Sequence, residues 1–257
     1  MRLKLTLNCR PNSELSLNYH YALQAVIYKV LERADPIFSS WLHEHGYQSN
    51  DGKRQFRLFT FSDLKGLYKL DFERQTIRFP SGSLEWIISF CVDATVEKFV
   101  VGIFQNQKFT VATSGGRIAF EVRGIEILVP PVFTETMKFR TLMPICIAEQ
   151  QPDRAQPKYL APDEPNYEKL FLSNLDNKCQ AAFGKKIDAT NARLKILSAP
   201  RKRGMEKQKS ELDRPIKLIG YNFDFELTAP IDWLCVGYDA GFGKSTSAGF
   251  GFCGVVR

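Results

Sequence analysis

A chain of 257 residues that is 44% hydrophobic, with 20 phenylalanines, can fill one large core or two small ones. Its net charge is +7 at pH 7, and no apolar run approaches the roughly 20 residues that a membrane-spanning helix needs. Six scattered cysteines without a C-x-x-C pair, and only 3 histidines, argue against a disulfide framework or a metal site. The start, Met1-Arg2-Leu3-Lys4-Leu5-Thr6-Leu7, lacks the apolar segment of a signal peptide. A soluble, cytoplasmic protein is expected, with no membrane partner and no structural metal.

Leu3, Leu5 and Leu7 alternate with Arg2, Lys4 and Thr6, which predicts a strand with one buried face. From residue 19 to 33, Leu23, Val26, Ile27, Val30 and Leu31 recur at helical spacing, leaving Tyr28 off the apolar stripe. After Asp35-Pro36 a short helix sets Ile37, Phe38, Trp41 and Leu42 on one side. At about 100° per residue His45 falls on that arc, whereas His43 points almost opposite. His20 sits at the edge of its helix's stripe, where a local hydrogen bond is the expected role. Strands follow at 58–62, 67–72, 76–79 and 84–92, then a helix at 94–105 and a hairpin of 108–112 with 117–128.

Pro130-Pro131 marks a break. Beyond it the pattern predicts a strand at 137–148, a helix at 164–183, and strands at 192–197 and 217–228 flanking a basic loop. A short helix at 230–238 and a last strand at 250–256 close the chain. Each half thus runs strand, helix, strand, strand, helix, strand. That order defines an α+β fold of two tandem ferredoxin-like (RRM-like) domains, 1–129 and 130–257, each an antiparallel sheet backed by helices.

Charge is concentrated. Between Lys185 and Lys217 there are eleven basic residues against four acidic ones, an excess equal to that of the whole chain. Arg201, Lys202, Arg203, Lys207 and Lys209 form its centre, on the predicted loop. Such a stretch favours a polyanion, most simply nucleic acid.

The chain closes on GFGKSTSAGFGFCGVVR. This is no P-loop, because Tyr238 stands where the first glycine of that motif belongs. Nor is Gly249–Gly254 a dinucleotide fingerprint, because only three residues follow and no helix fits. Two ferredoxin-like halves ending in G-x-G, five residues, then G-x-G instead resemble the repeat-associated (RAMP) superfamily of CRISPR systems. The two triplets are Gly241-Phe242-Gly243 and Gly249-Phe250-Gly251. Within that superfamily, Tyr21–Tyr28, Trp41-Leu42-His43-Glu44, Leu58-Phe59-Thr60-Phe61-Ser62 and Val236–Ala240 look like the endoribonuclease that cuts repeat transcripts into guide RNAs.

The resemblance implies a cleavage that needs no metal or cofactor. The RNA's own 2′-hydroxyl attacks the next phosphate and leaves a 2′,3′-cyclic phosphate and a 5′-hydroxyl. A histidine suits either proton transfer, and the match points to His43, with Tyr28 as its partner in positioning the RNA. Where the family's first examples place a lysine before the Leu-Phe-Thr strand, this chain has Arg57. Lys53 and Arg54 lie slightly earlier, and any of the three cations could steady the phosphorane, Arg57 by register and Lys53 by residue type. Gly241, Gly243, Lys244, Ser245, Thr246, Gly249 and Gly251 are expected to meet the RNA backbone through main-chain amides and side-chain donors. A non-cutting RNA-binding subunit of an interference complex, or a protein-binding scaffold, is the alternative; Tyr28 and His43 together favour the nuclease. The partner implied is CRISPR repeat RNA, and both a homodimer and a place in a surveillance complex are compatible with the residues.

Overall fold

Leu3, Leu5 and Leu7 are fully buried in a strand, Arg2–Asn8, as their alternation predicts. The computed structural model describes residues 1–152, 156–207 and 216–256. Arg2–Asn8 is central in a sheet of order Lys108–Thr113, Gly116–Leu128, Arg2–Asn8, Ser83–Phe90 and Phe59–Phe61, every pair antiparallel. Helices α1 (His20–Ala34) and α3 (Asp93–Gln105) supply Leu23, Ile27, Val96 and Phe99 to the core on the leucine face. Between them α2 (Pro36–Glu44) begins where the Asp35 carboxylate accepts a hydrogen bond from the Phe38 amide at 2.9 Å, an N-cap.

The second half repeats the plan. Cys253–Val255, Thr136–Thr141, Asp224–Thr228 and Arg193–Ile196 lie side by side, again antiparallel, with α4 (Tyr167–Phe183) and α5 (Ile231–Ala240). In both halves the unit's fourth, first, third and second strands are neighbours in that order, as in a ferredoxin-like fold. The two halves have separate cores. The first gathers around Phe59, Trp86 and Phe90, the second around Phe139, Phe171, Phe225 and Phe242. Among the described residues no helix is long and apolar enough to cross a membrane.

Several predicted segments differ. The strand expected at 137–148 stops at Thr141 and continues as isolated bridges, Ile145 to Tyr221 and Cys146 to Lys244. The run at 217–228 is two strands, Ile216–Asn222 and Asp224–Thr228. Buried Phe223 interrupts it, its amide donating to Thr141 Oγ1 at 2.8 Å. The first of these strands pairs with Arg201–Lys207, so the expected basic loop is a β-hairpin carrying Arg201, Lys202, Arg203 and Lys207. Lys209 lies outside the described residues. In place of one strand at 67–72 there are two short ones, Lys65–Gly66 and Lys69–Asp71, and the last strand is only Cys253–Val255.

Arg2 and Asp63 are among the side chains that fasten the halves. Arg2, expected on an open face, is 5% exposed: its guanidinium donates to the Tyr238 and Cys253 carbonyls at 2.6 and 2.8 Å and lies over the Tyr238 ring. The second half covers that end of the sheet, and burial pulls Arg2 down to about 10. Asp63, just beyond Phe59–Phe61, receives His20 Nε2 at 2.5 Å and Arg203 from the basic hairpin at 3.1 and 3.2 Å. His20 is therefore in a hydrogen bond, as expected, but with a residue 43 positions away. Burial by itself would raise the Asp63 carboxyl; the bond and charge of His20, with the Arg203 guanidinium, outweigh it and hold the group well below the usual carboxylate range. The unfolded chain then binds more protons below its own carboxylate pKa of about 3.9, so this contribution is complete above pH 4 and disappears as pH falls through the folded pKa. Urea midpoints measured from pH 2 to 6 should rise more steeply for the wild type than for Asp63→Asn; parallel curves would refute this assignment.

Candidate active site

The site forms where α1 and α2 meet the second half. Ser39 of α2 is buried and its hydroxyl donates to the Tyr28 carbonyl of α1 at 3.0 Å. His43 lies four residues on, hence on the same helix face, and its ring meets the Tyr28 ring edge-on at 4.9 Å and 84°. Tyr28 also leans on Phe59, with ring centroids 5.9 Å apart. The buried side of α2 is thus Ser39 and Leu42; Ile37 is 84% exposed, and His45 is an exposed helix-end residue rather than a packing one. Trp41, half out, meets Phe38 and Tyr47 instead of the core centre.

Arg57 ties this corner together. Its guanidinium donates to the His43 carbonyl, to the Glu44 carbonyl at 3.3 Å and to the His45 carbonyl at 3.5 Å. These are the carbonyls that a helix C-terminus leaves without intrahelical partners. The next residue, Leu58, is left-handed at φ 51° and sends its side chain into the second core, while Phe59 enters the first. Burial raises the Tyr28 phenol above its ordinary value, opposed by the charge and hydrogen bonding of Arg57 and by Gln24.

These residues wall a cleft of about 640 Å³. Gln24, Tyr28 and His43 form one side with Arg54 and Arg57; Asn174 and Lys178 of α4 and the ribbon Gly243–Ser247 form the other. Lys53 is exposed in the adjoining turn and is not in this lining, where its neighbour Arg54 takes the place. Lys178 is fully buried and donates to the Gly241 and Gly243 carbonyls at 2.5 and 2.8 Å, which fixes the ribbon. Burial pulls its ammonium down to about 7; the two carbonyl acceptors favour the charged form.

The ribbon divides in two. Its exposed part is Lys244 and Ser245, beside buried Thr246. Lys244 is partly engaged, Nζ donating to the Ala148 carbonyl at 2.8 Å, and burial lowers its pKa. Gly249 and Gly251, expected to approach RNA, are buried away from the cleft lining. The amides of Phe242, Lys244, Gly249 and Gly251 donate to protein carbonyls at 2.7 to 3.0 Å, so they hold the ribbon rather than offer donors to solvent. Arg201, Lys202 and Arg203 line a separate groove with Arg140 and Asn222, and Arg203 is held by Asp63.

Gln24, Asn174 and Lys178 were missed by the sequence reading. Gln24 sits one turn before Tyr28. Asn174 and Lys178 share a helical face with Phe171 and Leu175, so polar residues on an apolar stripe were the available signal.

Two ferredoxin-like units with a glycine ribbon closing the second define a protein of the RAMP superfamily. The family model described as "CRISPR-associated protein Cas6, N-terminal" matches residues 14–125, and that described as "CRISPR associated protein Cas6, C-terminal" matches residues 128–255. The chain belongs to the Cas6 family of CRISPR-associated endoribonucleases. A CRISPR-associated endoribonuclease Cas6 of Methanocaldococcus jannaschii is 26% identical over 253 residues, covering 98% of this chain and 91% of its own. That of Pyrococcus furiosus is 26% identical over 247 residues, covering 93% and 82%. The solved structure of a Cas6-related gene product from Pyrococcus furiosus shares the fold at a TM-score of 0.83 and 20% identity, covering 100% of this chain and 98% of that one.

One consequence tests Arg57. Lysine keeps the charge but cannot fork across three carbonyls. Arg57→Lys should slow single-turnover cleavage roughly tenfold, about 1.4 kcal/mol, with RNA affinity nearly unchanged. A rate equal to wild type would mean that Arg57 acts through charge alone.

Proposed function

We propose that this chain cuts CRISPR repeat transcripts into guide RNAs by attack of a 2′-hydroxyl on the adjacent phosphate, without a metal or cofactor. The observation that carries the reading is the Tyr28–His43 contact at the mouth of a cleft walled by Arg54, Arg57 and the ribbon. The 2′-oxygen forms a bond to phosphorus as the bond from phosphorus to the 5′-oxygen breaks. His43 exchanges the proton that leaves the 2′-oxygen or reaches the departing 5′-oxygen. Tyr28, its pKa raised by burial, keeps its proton at neutral pH and donates a hydrogen bond to the phosphate or ribose. Arg54 and Arg57 supply positive charge beside the phosphorane, with Ser245 and Thr246 as further donors. Among the described residues no carboxylate lines the cleft; beside the Tyr28 phenol, its side-chain oxygens are the uncharged amides and hydroxyls of Gln24, Gln55, Asn174, Ser245, Thr246 and Ser247, set among cations, which supports a reaction without a metal. In this reading residues 1–129 carry the proton-transfer residue His43 and the positioning residue Tyr28, and residues 130–257 the ribbon and the basic hairpin.

The test is cleavage of the matching repeat RNA in EDTA, compared with the same RNA carrying one 2′-deoxy nucleotide at the cut junction. The first should be cut to a 2′,3′-cyclic phosphate and the second left intact. Scission of the deoxy strand refutes the attack, a requirement for added metal refutes metal independence, and binding without any cut returns the chain to a guide-RNA-holding role.

A further inference from the structure

A second cleft, of about 820 Å³, opens on another side of α1 and has no part in the site above. Arg10, Lys29, Arg33, Lys108 and Arg123 line it, against a single acid, Glu121. Glu121 is taken by Arg123 at 2.9 Å, and Arg33 is fixed by donating to the Asn106 and Lys108 carbonyls. Arg10, Lys29 and Lys108 are exposed and make no ion pair among the described residues. They come from three separate places: the turn after the first strand, α1, and the start of the edge strand Lys108–Thr113. Three like charges converging without counter-ions repel one another unless an anion is there.

We infer that this groove holds the phosphodiester backbone of the bound transcript, outside the nucleotides at the cut. The inference rests on the reading that the chain binds repeat RNA. Its floor, Val30, Phe109 and Phe120, is buried in the first core, so no aromatic ring is laid open for base stacking, and what rises above it are the unpaired cations. Phosphate is what remains, gripped without reading bases. Gln24 and Tyr28 of α1 face the catalytic cleft, while Lys29 and Arg33 of the same helix face this groove. A helix is about 10–12 Å across, so a strand leaving the first cleft reaches the second within a few nucleotides.

The experiment measures repeat-RNA affinity against salt for wild type, for the triple variant Arg10→Ala, Lys29→Ala, Lys108→Ala, and for a control triple, Lys69→Ala, Lys138→Ala, Lys169→Ala, with the same change of net charge. All six side chains are exposed. Each lost phosphate contact lowers the slope of log affinity against log salt by about 0.7 on a single strand. The groove triple should therefore lose about 2 in slope and bind roughly a hundredfold more weakly near 0.1 M salt, the control triple far less. The same difference should persist when the sequence away from the cut is scrambled. Equal losses in the two triples, or an unchanged slope in the first, overturn the groove while leaving the nuclease reading intact. Failure of the wild type to bind repeat RNA at all overturns both.

Discussion

Replacing His43 with alanine should lower single-turnover cleavage of the repeat RNA by about 10²–10⁴-fold, the span that one proton-transfer group contributes. RNA affinity and melting temperature should be retained. The size follows from what else lines the cleft. Among the described residues His43 is its single imidazole. The Tyr28 phenol is pushed up by burial and holds its proton, and the two arginines remain charged across the working range. Burial pulls Lys178 down to about 7, but its ammonium is fully buried and turned onto the Gly241 and Gly243 carbonyls. Stability should not move, because His43 is exposed and the bonds that seat α2 run through the Ser39 hydroxyl and the His43 backbone carbonyl, both kept in the variant. A His43→Ala enzyme within about threefold of wild type would place the proton transfer elsewhere, with Lys178 the next residue to change.

The sequence made the two halves legible because their elements bury one face each, and one-sided burial leaves a period. Tyr28 and His43 were picked out instead by the motifs they stand in, since the stripe expected for α2 is not the face it buries: Ile37 is exposed and His43 shares a face with buried Ser39. The readings failed where burial is not one-sided or where a partner is far along the chain. Arg201–Lys207 forms one strand of a two-stranded ribbon; its charges show no alternation, so it read as a loop. Arg2 alternates correctly with three leucines, and nothing local reveals that Tyr238 and Cys253 cover it. The run 217–228 alternates well enough to read as one strand, while the change of partners at Phe223 depends on Thr141. Where Lys53, Arg54 and Arg57 stand could not be read locally, because it depends on the end of α2, whose carbonyls take the Arg57 guanidinium, and on the turn that leaves Arg54 in the cleft lining and Lys53 out of it. Lys178 was hidden for a different reason: stripe-reading selects apolar residues, and a buried ammonium satisfied by two carbonyls stands among them unmarked.

Gly251→Ala should destabilise the protein by about 2–4 kcal/mol, combining overpacking with backbone strain. For a chain near this length that is a fall of roughly 5–15 °C in melting temperature. A Cβ at this position would stand 1.9 Å from the Phe242 carbonyl oxygen and 2.8 Å from the Phe242 nitrogen, and the backbone is left-handed at φ 71°. Both obstacles are main chain, so no side chain can swing aside. The Gly251 carbonyl accepts from the Phe242 amide at 3.0 Å and its own amide donates to Pro144 at 2.9 Å, closing the ribbon on itself. Moving Phe242 would disturb its ring contacts with Phe139, Phe171 and Phe225, at 5.1 to 5.7 Å, in the middle of the second core. Ser245→Ala supplies the contrast. That side chain is exposed in the cleft lining, at the tip of the same ribbon, so its loss should weaken RNA binding or cleavage with melting unchanged within about 1 °C, the ordinary range for a surface substitution. Thermal melts and RNA titrations on the two variants separate the duty of the second glycine triplet from that of the exposed tip between the triplets. If Gly251→Ala melts like the wild type yet loses RNA, the second triplet touches the phosphate backbone after all, and the packing account of it is wrong.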